Sequence, residues 1–199
     1  MILKNWLNVS IKLSIRFIFM KYIFDFDDVL FNNTVQFKPH MYDILEKAGV
    51  PKDAAQAYYR QIRAVNEFWL KDLLRHFSLN EDLYEKIVDK DVIKNFINHE
   101  LIAIVKKLGK ENCFILTHGG EKFQLDKIEK SGIAPLFADV IAVFGKKNDS
   151  IEKICATHRD EEVFFIDDRI EHSKDLNTIK CPNLKTILYT GQDLRNIIS

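Results

Sequence analysis

The segment Tyr22-Ile23-Phe24-Asp25-Phe26-Asp27-Asp28-Val29-Leu30-Phe31 sets three carboxylates at the end of a short apolar run. Tyr22 to Phe26 are aromatic or β-branched apart from Asp25, the composition of a buried strand. Burying an ionised carboxylate is costly unless a cation or hydrogen bonds compensate. The sequence therefore predicts a strand that ends at Asp25, at a sheet edge where a metal ion sits. Strand alternation places Asp25 and Asp27 on one side, and the following turn aims both at one point. The plainer alternative is a strand followed by a solvated acidic turn.

On the C-terminal side, Phe31-Asn32-Asn33-Thr34 is polar enough for a loop. Met41, Ile44, Leu45 and Ala48 then recur at helical spacing, and Gly49 closes that helix. Pro51 and Asp53 open a second helical pattern, in which Ile62, Val65, Trp69 and Leu73 form one stripe widened by Phe68 and Phe77. Ser78 or Asn80 caps a third, carrying Leu83, Ile87 and Val88. A fourth runs from Val92 to Leu108, where Gly109 ends it. Residues 35–109 thus read as helical throughout.

The pattern then becomes strand–helix alternation. Cys113-Phe114-Ile115-Leu116 is stopped by Thr117-His118-Gly119-Gly120, and a helix with Phe123, Leu125 and Ile128 follows. Val140 to Phe144 runs into Gly145-Lys146-Lys147-Asn148-Asp149, where Asp149 N-caps a helix bearing Ile151, Ile154 and Cys155. Val163-Phe164-Phe165-Ile166 is stopped by Asp167-Asp168. A helix after Glu171 leads to a last strand, Leu184 to Tyr189. Runs apolar on both faces, alternating with helices, predict an α/β fold: a Rossmann-like parallel sheet core with helices on both faces. The core takes residues 21–34 and 110–199, and an all-helical unit, 35–109, is inserted between its first two strands.

Residues 1–20 carry Lys4, Lys12 and Arg16 and no acid. Their apolar positions are interrupted too often for a membrane span, which needs roughly 20 predominantly apolar residues. No small-residue cleavage site follows. A basic amphipathic helix and an extra packed element are two readings. The favoured one is sequence upstream of a start at Met20, directly before the strand. Peptides from the first 16 residues in the mass spectrum of the native protein, counted in this numbering, would refute it. The 199 residues are 47% hydrophobic and carry 29 basic and 29 acidic side chains, so a core can form and no nucleic acid polymer or anionic membrane is called for. Cys113, Cys155 and Cys181 are scattered without metal-type spacing, which suits a reducing cytoplasm.

Ligands of an open parallel sheet bind at the carboxyl ends of its strands. Those ends deliver Asp25 and Asp27, Thr117, Lys146 and Lys147, and Asp167 and Asp168 to one edge. The set suits phosphoryl transfer. Clustered carboxylates select a hard divalent ion, and Mg²⁺ is bound by one or two of them. Asp25 is the nucleophile, ionised at neutral pH without a base to activate it. Asp27 is general acid to the leaving alcohol and then general base to water. Thr117 donates to the phosphoryl oxygens, a lysine neutralises charge, and Asp168, with Asp167 the second choice, completes the metal site with Asp25 and Asp27.

These four segments resemble the motifs of the haloacid dehalogenase-like hydrolase superfamily. Phe24-Asp25-Phe26-Asp27-Asp28-Val29-Leu30 is similar to the first, Ile115-Leu116-Thr117-His118-Gly119 to the second, Phe144-Gly145-Lys146-Lys147 to the third and Phe165-Ile166-Asp167-Asp168 to the fourth. The order matches, over Lys21 to about Tyr189, and residues 35–109 fill the place of the superfamily's helical cap. The resemblance implies a phosphoaspartyl intermediate, Mg²⁺, a metal contact from the Asp27 backbone carbonyl, and a cap that closes over a small phosphorylated metabolite. It also separates ester hydrolases from dehalogenases, which lack the second aspartate.

Lys147 is preferred to Lys146 because Asp149 would cap the helix two positions on. His118 and Gly119 are candidate substrate contacts beside Thr117. Cap-loop residues Asn32, Asn33, Gln36 and Lys38 are further candidates. Departures from the superfamily pattern are Asp28 and Asp167, where Gly is frequent, and His118, where Asn or Gly is. Arg169 after the paired acids resembles some nucleotidases of the superfamily. A phosphomutase of the same fold, a catalytically idle binder of phospho-ligands and a receiver domain are the alternatives, and the large insertion speaks against the last.

Overall fold

The structure, a computed structural model, describes residues 20–63, 65–176 and 181–196. The reading of residues 1–19 lies outside the described residues. Five parallel strands form one sheet: β1 (Met20–Phe24), β2 (Cys113–His118), β3 (Asp139–Val143), β4 (Glu162–Asp167) and β5 (Leu184–Leu188), in the order β3-β2-β1-β4-β5. Phe24 is in register with Ile115 on one side and Ile166 on the other. The central strand is covered on both faces, as its unbroken apolar run requires. Tyr22, Phe24, Ile115, Phe164 and Ile166 belong to one hydrophobic cluster, and Ile23, Phe114, Leu116, Val163 and Phe165 to the other. The chain winds outward from β1 to β3 and then returns to lay β4 on the other flank of β1. The crevice at the carboxyl ends of β1 and β4 is therefore the topological switch point.

The helical segments between β1 and β2 are α1 (Lys38–Lys47), α2 (Lys52–Ile62), α3 (Trp69–His76), α4 (Asp82–Ile87), α5 (Lys90–Ile93) and α6 (His99–Leu108). Their buried side chains, among them Met41, Leu45, Trp69, Leu73 and Ile87, merge with the Tyr22/Phe24 face of the sheet in a single cluster. Beyond β2 come α7 (Glu121–Ser131), α8 (Asn148–Thr157) and α9 (Ile170–Asp175). Phe123 and Ile128 of α7 join the first cluster, and Ile151, Ile154 and Cys155 of α8 cover the opposite face. No helix among the described residues is long and apolar enough to cross a membrane.

The insertion departs from its periodicity in four places. Asn33–Phe37 is a π-helical turn rather than a loop. The stripe through Ile62, Val65, Trp69 and Leu73 is broken: α2 stops at Ile62, and Val65 is exposed. Asn66 redirects the chain, accepting from the Phe68 amide at 2.8 Å and donating to Asp72. The expected helix from Val92 to Leu108 is interrupted where the chain pairs with the entry to the insertion. Phe96 O accepts from Asn32 N, and Asn98 N donates to Leu30 O, both at 2.8 Å, flanking a bridge between Phe31 and Ile97. Asn98 then caps α6 by accepting from Leu101 N. In the third pattern, Glu81 holds the N-cap position and Asn80 accepts from Asp82 N just before it. In the pattern from Val92 to Leu108, backbone bonding to a distant segment overrides apolar spacing, since every buried amide and carbonyl needs a partner.

Candidate active site

Asp25 is the first residue past β1, so its position is set by the sheet. Its amide donates to Ile166 O at 2.8 Å, and one of its carboxylate oxygens accepts from Phe26 N at 2.7 Å. The chain then doubles back: Leu30 N and Phe31 N both reach Phe26 O, and Asp28 N donates to Phe31 O. Asp28 takes up a left-handed conformation, φ 60°, which costs a residue with a side chain more than glycine. Its carboxylate offsets this by accepting from Thr34 N at 2.7 Å and Thr34 Oγ1 at 2.6 Å. Asp28 thus ties the turn after β1 to the start of the insertion.

Two buried lysines meet the two leading aspartates. Lys147 Nζ lies 3.0 Å from Asp25 Oδ2 and 2.7 Å from Asp167 Oδ2. It holds the N-cap position of α8, the positive end of the helix dipole, so only the carboxylates make a buried ammonium tolerable there. Lys146 beside it is exposed. Lys147, and not Lys146, is the lysine placed beside Asp25. Asp149 sits inside the first turn of α8 and caps nothing, because the chain is already helical at Lys147.

Asp167, at the end of β4, is fully buried. Besides Lys147 it accepts from Arg169 N and meets His172 Nδ1, each at 2.8 Å. Burial alone would raise its pKa, but these donors hold it below the ordinary carboxylate value. Asp25 is shifted the opposite way, up to about 6, because burial outweighs the single ammonium it shares. Asp168 is also raised, by burial first and then by Asp167 and Asp28.

Asp27 faces other partners than Asp25 does. β1 ends at Phe24, so strand alternation does not govern the pair. Lys127 Nζ donates to Asp27 Oδ1 at 2.6 Å and Gln124 Nε2 to Oδ2 at 2.8 Å. The Lys127 side chain is 1% exposed, and its pKa is lowered by burial against the opposing pull of Asp27. The expected apolar face of α7 is corrected here. Leu125 is exposed, while Phe123, Gln124, Lys127 and Ile128 are buried.

At the end of β2, Thr117 is buried and its Oγ1 has no partner among the described residues. His118 is exposed, and its pKa is lowered by lost hydration and by nearby His172, Lys147 and Arg169. Gly119 adopts φ 149°, and a Cβ there would fall 2.8 Å from Gln124 Nε2. A Cβ on Gly120 would fall 2.6 Å from the carbonyl oxygen of Glu67, which accepts from Phe123 N. The broken stripe of the insertion thus touches the loop after β2.

One cavity of about 190 Å³ is bordered by Asp25, Asp27, Asp28, Asp168, His118 and Gly119. Lys38, Tyr59, Arg63 and Trp69 of the insertion close its other side, with Arg169. Among the further cap-loop candidates, Asn33 also borders it. Ligand atoms of Asp25, Asp167 and His172 lie within 4.8 Å of one another. Asp167 already has three protein donors, whereas Asp25 and Asp168 have raised pKa values, and both border the cavity. The grouped set is two carboxylates and an imidazole; Asp27 and Asp168, expected from the sequence to ligate with Asp25, fall outside it among the described residues. The carboxylates suit a hard divalent ion. Sequence reasoning missed Lys127, Gln124 and His172. The usable signal was a lysine one turn after Phe123 on the face of Ile128.

No family model and no curated protein matches the chain. Solved structures do. A hydrolase from Streptococcus pneumoniae TIGR4 is 19% identical, with 90% of this chain and 98% of that one covered and a TM-score of 0.54. A haloacid dehalogenase-like hydrolase from Burkholderia xenovorans LB400 is 14% identical over 84% and 80%, with a TM-score of 0.65. The HAD-hydrolase YfnB from Bacillus subtilis, bound to magnesium, is 16% identical over 84% and 85%, at 0.51. With the parallel sheet and its helices, these likenesses give the chain the haloacid dehalogenase-like fold.

Proposed function

We propose that this protein is a Mg²⁺-dependent phosphatase that hydrolyses a small phosphate monoester through a phosphoaspartyl intermediate. The observation that carries the reading is the buried Lys147 between Asp25 and Asp167, with Asp25 and Asp27 bordering one cavity. Asp25 attacks phosphorus as the ester P–O bond breaks, and the protonated form of Asp27, which this step requires, gives its proton to the departing alcohol. Asp27 then takes a proton from water, which attacks the phosphoryl group and returns Asp25. Lys147 offsets charge on the phosphoryl oxygens and on Asp25, and the unpartnered Thr117 hydroxyl is a suitable donor to them. Asp25, Asp168 and the Asp27 backbone carbonyl would hold Mg²⁺, which supplies charge neutralisation at the phosphoryl group. The solved HAD-hydrolase bound to magnesium supports that choice of ion. A cavity of about 190 Å³ closed by insertion residues suits a small phosphorylated metabolite.

Phosphate release from sugar phosphates, nucleotides and an aryl phosphate tests the reading, with Mg²⁺ and with chelator, for wild type and Asp25→Asn. Metal-dependent release that vanishes in Asp25→Asn is expected. No release from any substrate sinks the phosphatase assignment, and equal release by both proteins removes Asp25 as nucleophile.

A further inference from the structure

Lys127 is an unusual use of a lysine. Its ammonium lies in the protein interior, 5.1–5.4 Å from the ring centres of Phe26, Phe31, Phe37 and Phe123. Losing hydration costs an ammonium heavily. Ring faces recover part of that, and Asp27 at 2.6 Å recovers more. The four rings come from three parts of the chain: the turn after β1, the π-helical turn that opens the insertion, and α7. An ion pair needed only to hold α7 against the turn would be served as well by apolar side chains of similar volume.

Gln124, three residues earlier on the same helix face, completes the arrangement. Its amide donates to Asp27 Oδ2 and, at 3.1 Å, to His118 O. A side chain at Gly119 would collide with that amide. One nitrogen therefore fixes both the second aspartate and the loop that bears Thr117, His118 and Gly119. Among the described residues each oxygen of Asp27 has one protein donor, which leaves each a further lone-pair direction for a reacting group.

We propose that Lys127 and Gln124 are positioning residues, a two-point clamp that orients the Asp27 carboxylate for proton transfer with the leaving group. The inference rests on the phosphatase reading and extends it. Phe37 belongs to the wall of the Lys127 cage and to the entry of the insertion, so the clamp depends on how the insertion is seated. Neither residue transfers a proton itself. Both act through Asp27, and their effect is largest where the departing oxygen most needs a proton.

The test compares an alkyl phosphate, a poor leaving group, with 4-nitrophenyl phosphate, a good one. Lys127→Met keeps a chain of similar length in the cage and removes the charge. It is expected to lower kcat on the alkyl ester by about 100-fold, in line with the usual worth of a general acid, and on the aryl ester by less than about fivefold, with KM little changed. In an Asp27→Asn background the same substitution should add nothing, because the group it positions is gone. Gln124→Met should show the same leaving-group dependence to a smaller degree, and it carries the test should Lys127→Met not fold. Equal losses on the two esters, or a loss that persists in Asp27→Asn, overturns the inference and leaves the phosphatase reading standing. A wild-type protein that releases no phosphate overturns both.

Discussion

Lys147 and Lys127 are both buried and each is paired with one of the two leading aspartates, yet they sit in opposite electrostatic settings. Lys147 balances two carboxylates, Asp25 and Asp167, at the positive end of α8. Lys127 balances one carboxylate and is otherwise surrounded by aromatic rings in the middle of α7. The first cluster has one carboxylate more than its lysine balances, and in the proposed reading it is where Mg²⁺ and the phosphoryl group go. The second is internally neutral and holds its aspartate still. Reactivity concentrates where charge is left unbalanced, and orientation where it is balanced.

Removing each lysine separates the two settings most sharply. Lys147→Met leaves Asp25 and Asp167 facing each other without their shared cation, and its activity should fall by about 100-fold or more. Breaking a buried pair from one side is expected to cost about 3–5 kcal/mol in urea unfolding. Lys127→Met leaves an aspartate that still has Gln124 and borders the cavity, and methionine packs well against aromatic rings. Its cost should be smaller, because the aspartate it leaves is 22% exposed and can be hydrated. Equal destabilisation by the two substitutions would erase the distinction.

The anionic imbalance also has a pH signature. The pKa of Asp25 in the folded protein is raised to about 6, so the protonated form favours folding. That contribution is fully present below the ordinary carboxylate range, about pH 4, and is lost as pH rises through about 6. Asp25→Asn, which cannot ionise, should therefore raise unfolding free energy in chelator near about pH 8, by up to about 3 kcal/mol. Near about pH 4 the gain should disappear. A stability gain that is the same at both pH values would contradict the burial-driven shift.

A third contrast lies between the loop after β2 and the insertion. Gly120→Ala forces a methyl group against the carbonyls of Glu67 and Asn66, and overpacking of this kind costs about 1–3 kcal/mol. It should raise KM more than it lowers kcat, because it displaces the insertion and not Asp25. The smallest effect is expected for Lys146→Met. Its side chain is exposed, and the loss of activity should be at least about tenfold smaller than for Lys147→Met. An equal loss would return Lys146 to the site.

The sequence alone determined the sheet and the residues at its carboxyl edge. Apolar runs of strand length that end abruptly in acids, a threonine and lysines are local patterns, and the parallel sheet places every such ending on one side. Asp25, Asp27, Thr117, Lys147 and Asp168, with Asp167 second to it, could be named for that reason, although it is Asp167 that the fold pairs with Lys147. Only the tertiary structure decided the interior of the insertion and the partners of Asp27. Asn66 and Asn98 break apolar stripes because their hydrogen bonds, and those of the chain beside them, reach residues up to 91 positions away. Lys127 lies mid-helix, where a lysine ordinarily faces water. Three phenyl rings from the turn after β1 and the entry to the insertion, a fourth from its own helix, and one carboxylate 100 residues away turn it inward. Periodicity records how a segment meets its nearest layer. A charge can be buried only when groups from several layers arrive together, and that convergence exists only in the folded chain.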